Sequence, residues 1–85
     1  MQVDLITPDK LAYSGEASSV LLPGSDGYFE ILDNHAPLVG SLKEGTIRIR
    51  AGQENLEFGI SSGVAEVSAN KLSILADSLT SQKDL

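Results

Sequence analysis

A side-chain period of two, broken at short intervals by turn residues, constrains this chain more than any other feature. Val3 and Leu5 alternate with Gln2 and Asp4, and Leu56, Phe58 and Ile60 alternate with Glu57, Gly59 and Ser61. Leu72, Ile74 and Ala76 alternate with Ser73, Leu75 and Asp77, and Thr46-Ile47-Arg48-Ile49-Arg50 keeps the pattern without a break. Successive side chains of a strand face opposite sides, so each segment builds one buried and one wet face. Ser19-Val20-Leu21-Leu22, stopped by Pro23-Gly24, reads instead as a strand covered on both faces.

Turn residues fall between these runs at Thr7-Pro8-Asp9, Ser14-Gly15, Pro23-Gly24-Ser25-Asp26-Gly27 and Asp33-Asn34. They recur at Glu44-Gly45, Ala51-Gly52-Gln53, Ser62-Gly63 and Ala69-Asn70. No segment sustains a helical period, and no internal repeat or interdomain linker is visible. Many short, regularly punctuated strands predict an all-β sandwich or barrel of about eight to ten strands. At 85 residues the chain fits one domain. The alternation carries residues 1–77, and residues 78–85 lose it and read as a loose tail.

Charge and composition narrow the function. The formal net charge is −6, the wrong sign for a nucleic-acid footprint or for anionic lipid headgroups. No apolar run approaches the ~20 residues that span a bilayer. Met1-Gln2-Val3-Asp4 has neither a basic signal-peptide start nor an Arg-rich transit segment. A soluble, intracellular-type protein is expected, able to dock on a membrane complex through protein contacts. With no cysteine, thiolate nucleophiles, disulfides and Cys-zinc sites are excluded.

Catalytic groups are scarce. His35 is the single histidine, so a metal there would need carboxylates such as Asp26, Glu30 and Asp33. A loop histidine bonded to backbone is the better reading. Ser41, His35 and Asp33 can be drawn as a triad, but no nucleophile-elbow sequence surrounds them. Glu57 and Glu66 sit on alternating strands as water-facing charges, without the aromatic walls of a sugar cleft. Gly24-Ser25-Asp26-Gly27 lacks the Lys-Ser/Thr and the helix of a phosphate-binding loop. These absences predict a non-enzyme with no cofactor, no metal and no nucleotide on this chain.

The stretch from Val20 to Gly45 is more specific. A strand ends in Pro23-Gly24-Ser25-Asp26-Gly27, a His35-Ala36-Pro37-Leu38 loop follows, and Leu42-Lys43-Glu44-Gly45 leads into Ile47-Arg48-Ile49. Ser14-Gly15-Glu16 upstream, and Ser62-Gly63-Val64-Ala65-Glu66-Val67 and Leu72-Ser73-Ile74-Leu75-Ala76-Asp77 downstream, complete the pattern. It resembles the epsilon subunit of bacterial and plastid F-type ATP synthases over essentially the whole chain. The resemblance implies a flattened β-sandwich of about eight to ten short antiparallel strands, at the foot of a central-stalk rotor. It implies a non-catalytic, peripheral subunit on the cytoplasmic face of the bacterial inner membrane or the stromal face of the thylakoid. Gamma and the c-ring are the implied partners, coupling proton-driven rotation to ATP synthesis. By motif match, the ring-facing residues would be Asp26, Gly27, Tyr28, Asn34 and His35. Tyr28 stands where many relatives carry an acid, leaving charge pairing to Asp26 or Glu30. The gamma-facing residues would be Thr7, Leu38, Val39, Gly40 and Thr46.

Most relatives continue past Ala76-Asp77 into a two-helix inhibitory domain. The chain stops where that domain would begin, as a naturally short member or a piece of a longer chain. If natural, it is expected to couple rotation without blocking hydrolysis. A carrier domain of the lipoyl or biotinyl type is the alternative, since Asp9-Lys10 resembles a modified-lysine site. That lysine belongs at a mid-chain hairpin tip between similar halves, whereas Lys10 lies near the N-terminus and no half-repeat is visible.

Overall fold

The computed structural model describes residues 1–84, and these contain ten strands and no helix. They are β1 (Gln2–Thr7), β2 (Lys10–Glu16), β3 (Ser19–Gly24), β4 (Gly27–Leu32) and β5 (Leu38–Leu42), then β6 (Gly45–Ala51), β7 (Glu54–Ile60), β8 (Gly63–Ser68), β9 (Lys71–Ala76) and β10 (Leu79–Asp84). One layer has the order β4-β3-β6-β7-β10 and the other β5-β8-β9-β1-β2. Neighbours pair antiparallel, except β1 with β9, which is parallel. The layers join at one corner, where Gly24 at the end of β3 pairs with Leu42 at the end of β5.

The corner explains the Pro-Gly signature. A Cβ on Gly24 would lie 2.6 Å from the Gly27 carbonyl oxygen and 2.8 Å from the Phe29 ring. A Cβ on Gly45, across the corner, would lie 2.6 Å from the Pro23 Cβ. Only glycine lets the two backbones close at this distance.

The period of two becomes the core. Val3 and Leu5 of β1, Ile47 and Ile49 of β6, Phe58 and Ile60 of β7, and Leu72 and Ile74 of β9 are almost fully buried. They meet Val20, Leu22, Ile31, Ala65 and Val67 in a single cluster between the layers. The apolar run of β3 differs from expectation. Val20 and Leu22 are buried, but Leu21 faces outward and is half-buried, beside Tyr28 and Arg48 and not beneath a second layer.

Residues 79–84 also depart from the loose-tail expectation. Leu79–Asp84 pairs antiparallel with β7 as an edge strand, while Leu85 lies outside the described residues. The open edge of β7 supplies the hydrogen-bonding partners that local sequence does not announce. Leu79 packs on the core, and Thr80 and Ser81 lie over Gly59, which has no side chain to displace them.

Consecutive strands run up and down, so their connections gather at two ends. Residues 8–9, 25–26, 43–44, 61–62 and 77–78 lie at one end, called here the Ser25 end. Residues 17–18, 33–37, 52–53 and 69–70 lie at the other, the His35 end. At the His35 end the Met1 amine donates to the Ala17 carbonyl at 2.9 Å and pairs with Asp33 and Glu16.

The β8–β9 turn is tight, with φ of 52° at Ala69 and 58° at Asn70. Positive φ at both central residues is the hairpin geometry that suits strand twist, and alanine is strained in it. Ala69→Gly is therefore expected to stabilise the chain by about 0.5–1 kcal/mol, net of the glycine's unfolded-state entropy. Urea unfolding checks this, and an unchanged or lower midpoint would contradict it.

Candidate functional site: an apolar outer face

The alternation that builds the core also dictates what the outer faces show. On β1, β2, β8 and β9 the outward positions should be polar, and most are: Asp4, Ser14, Glu66 and Ser73 line the outside. Four positions break the rule. Val64 lies opposite Leu75, Leu75 opposite Ile6, and Ile6 opposite Leu11. These side chains form one apolar row across β8, β9, β1 and β2 on the outer face of the second layer. Leu11 is 59% exposed, Leu75 54% and Val64 42%, so nothing in the chain covers them. Val39 on neighbouring β5 shares this face and is 70% exposed, opposite Glu66 and two positions from Ser41, which faces Val64. At the Ser25 end the row opens on a shallow depression of about 240 Å³ between Ile6, Pro8 and Leu75.

Polar bonds hold the strands beneath the row in register. Asp4 accepts hydrogen bonds from the Ser14 hydroxyl at 2.7 Å and the Gln2 amide at 3.0 Å, and lies 3.6 Å from the Lys71 ammonium. The Ser14 bond, then the Gln2 bond, with help from Lys71, holds its carboxyl below the usual range. A depressed carboxylate pKa contributes stability above the unfolded value of about 3.9, and loses it as pH falls through the folded value. Wild type should therefore melt above Asp4→Asn at neutral pH, with the gap closing in acid. Thermal midpoints of both proteins from neutral to strongly acidic pH check this. A gap that stays constant with pH would contradict it.

The sequence-expected interface residues are distributed differently from expectation. Asp26, Gly27 and Tyr28 lie at the Ser25 end, whereas Asn34 and His35 lie at the His35 end. Strand β4, which begins at Gly27 and ends at Leu32, carries the chain from one end to the other, roughly 17–20 Å for its six residues. The motif is contiguous in sequence but spans the sandwich, so these five residues do not form one end surface. Asn34 has a φ of 62°, and its backbone N–H donates to the Asn70 side chain at 2.7 Å. The His35 Nδ1 lies 2.7 Å from the Ala36 carbonyl, a loop histidine bonded to backbone.

The set expected to face gamma is also divided. Thr7 is buried and donates its hydroxyl to Asp9 at 2.6 Å, closing the β1–β2 turn. Leu38 is half-buried against the core, and Gly40 faces the Phe29 ring. Val39 and Thr46 are exposed, on the outer faces of opposite layers. The Thr46 N–H donates to the Tyr28 hydroxyl at 3.0 Å, joining one residue expected at gamma to one expected at the ring.

Ile6, Leu11 and Val64 were missed by sequence reasoning. Their signal was an apolar residue in the polar phase of a strand, already visible at Leu75. Ser41 shares a hydrogen bond with Ser25 at the Ser25 end, far from His35, so the drawn triad does not assemble. Among the described residues no three His, Asp or Glu side chains are placed to hold a metal ion. Nor, among the described residues, is any helix long and apolar enough to cross a membrane.

Fold and face together define a small β-sandwich module that presents a surface and not a cleft. The chain belongs to the family described as ATP synthase, Delta/Epsilon chain, beta-sandwich domain, which it matches over residues 1–82. It is 40% identical over 85 residues to an ATP synthase epsilon chain of Leptospira interrogans, covering 100% of this chain and 67% of that one. It is 41% identical over 80 residues to the epsilon chain of Chlorobium limicola, covering 93% of this chain and 91% of that one. Two solved structures share the fold. A chain of the Tetrahymena thermophila mitochondrial ATP synthase central stalk and c-ring matches with a TM-score of 0.78 at 21% identity, covering 92% of this chain and 63% of that one. A chain of the Euglena gracilis mitochondrial ATP synthase, solved with its c-ring, matches with a TM-score of 0.85 at 18% identity, covering 92% and 51%.

Proposed function

We propose that this chain is the sandwich of a central-stalk rotor subunit, which binds gamma and the c-ring and so couples proton-driven rotation to ATP synthesis. The apolar row of Ile6, Leu11, Val64 and Leu75 carries the proposal, because a sheet face left uncovered this way is a docking surface. Gamma is its proposed occupant. The Ser25 end is proposed for the ring, since on its connections Asp9, Asp26, Glu44 and Asp77 outnumber the one lysine, Lys43, beside Tyr28. An acidic end suits the polar loops of a ring.

The mechanism is mechanical. Ion flow turns the ring, this sandwich turns with it, and gamma carries the torque to the catalytic head. No side chain here moves a proton or touches nucleotide in that scheme. Two rigid layers closed at the Gly24–Leu42 corner hold the gamma face and the ring end in fixed relation. Pre-organised surfaces lose little ordering entropy on binding. The proposed location follows, peripheral on the cytoplasmic or stromal face of the coupling membrane.

Membership of this family removes the support for a carrier domain, and Lys10 merely opens β2 opposite Thr7. The deciding experiment is capture of partners from detergent-solubilised membranes of the source organism with the tagged chain, read by mass spectrometry. Recovery of gamma, alone or with the ring and catalytic subunits, is expected. Recovery of neither, with gamma present and accessible, would overturn the rotor reading and leave the fold intact.

A further inference from the structure

The opposite outer face has a different character. Arg48 and Arg50 are both of the chain's arginines, and the alternation of β6 turns both outward on the first layer. With Lys83 they face Glu30 and Glu57, which gives this face a positive excess on a chain of net charge −6. The two arginines are not equivalent. Arg48 gives its Nε at 3.0 Å and its Nη2 at 2.5 Å to the same oxygen of Glu57. Arg50 makes no side-chain hydrogen bond or ion pair among the described residues. Its register partners are Ser19 on β3 and Asn55 on β7. Ser19, Arg50 and Asn55 thus set a hydroxyl, a guanidinium and an amide side by side across three strands. They line a depression of about 390 Å³ with Leu21, Arg48 and Glu30.

A second depression of about 300 Å³ adjoins it, lined by Leu21, Tyr28, Thr46 and Arg48. Its walls are the Leu21 side chain and the Tyr28 ring, so it suits an apolar group. About two positions along β6 separate the two hollows, roughly 7 Å, which is the spacing of side chains i and i+2 in an extended peptide.

We propose that this face is a second docking site, for an extended acidic peptide segment of a protein partner. Arg50, Ser19 and Asn55 take one carboxylate, and the Leu21–Tyr28 hollow takes an apolar side chain two residues away. The fork of a guanidinium matches the two oxygens of a carboxylate. Glu30 and Glu57 flank the site and disfavour a doubly charged phosphate, which selects a singly charged carboxylate. The face lies on the layer opposite the apolar row, so both can be occupied at once.

Titration of the isotope-labelled chain with the synthetic peptide Ser-Gly-Ser-Glu-Ser-Leu-Ser-Gly-Ser, read by two-dimensional amide NMR, tests this. Shifts are expected at Ser19, Leu21, Arg48, Arg50 and Asn55. Arg50→Gln should weaken binding about fivefold, as should Gln for Glu in the peptide, and the two losses should not add. Arg50→Gln should leave the melting temperature unchanged, because the guanidinium has no partner to lose. Arg50→Lys should keep part of the affinity. Equal binding of the Gln peptide, wild-type binding by Arg50→Gln, or displacement of the peptide by an equal concentration of inorganic phosphate would each overturn the proposal. None of these readouts depends on gamma, so the rotor reading stands or falls separately.

Discussion

Phe58→Ala is expected to cost about 3–5 kcal/mol of folding stability, the largest effect of any single truncation in this chain. A chain of 85 residues is held by ~4–13 kcal/mol on the usual per-residue scale, so the variant would lose a large fraction of its stability. Phe58 is the largest fully buried side chain, 2% exposed, on β7 of the first layer. Its ring sits 6.0 Å from that of Tyr13 on β2 of the second layer, tilted by 55°. This contact links the two layers on the side away from the Gly24–Leu42 corner. On the corner side the backbone itself joins the layers. On the far side chain connections join them only at the two ends, as where the Ser61 N–H donates to the Ser78 carbonyl, and side chains fill the space between; removing the largest leaves a cavity that edge strands β2 and β10 cannot fill without losing register. Urea denaturation should show a lower midpoint with an unchanged slope, because the same surface is exposed on unfolding. Phe58→Leu keeps most of the volume and should cost less. A loss below about 1 kcal/mol for Phe58→Ala would mean that the layers are held mainly at the corner.

The features that sequence made legible are those with a local cause. Alternation at β1, β6, β7 and β9 follows from one buried face per strand, and it located both the strands and their core residues. The Pro23-Gly24 signature marked the corner because a close backbone approach excludes every side chain there. What escaped had a non-local cause. Residues 79–84 became a strand because β7, some twenty residues earlier, leaves an edge to be paired. Leu21 was taken as covered on both faces, yet its outer cover consists of neighbouring side chains and not a second layer. The residues expected at interfaces show the same limit. Asp26 and His35 are near in sequence and lie at opposite ends, because a strand between two turns carries the chain across the sandwich. Ile6, Leu11, Val64 and Leu75 are far apart in sequence and form one row, because register brings them together. Membership of a family could not substitute for that register.

The same row sets the second large expectation. Under the proposed docking, Leu75→Glu should weaken gamma binding by roughly 30-fold or more, the scale of a central interface anchor turned into a buried, unpaired charge. Leu75 sits mid-row, between Val64 on β8 and Ile6 on β1, where water is excluded most completely once a partner is seated. The free chain should tolerate the change. Leu75 is half exposed and points away from the core, so its melting temperature should move little. That separation of binding from stability is what distinguishes an interface residue from a core residue. Glu66→Gln supplies the control, since it lies on the same face beside Val39 but off the row, and it should leave affinity near wild type. Calorimetric titration against purified gamma measures wild type, these two variants and Thr46→Glu, which alters the opposite outer face. If Leu75→Glu binds as wild type while Thr46→Glu does not, gamma sits on the arginine-bearing face. The apolar row would then need another occupant, and the acidic-peptide site would have to compete with gamma for the hollow between Leu21, Tyr28 and Thr46. The two faces cannot exchange roles without both affinities changing, so one set of titrations orients the whole sandwich on the stalk.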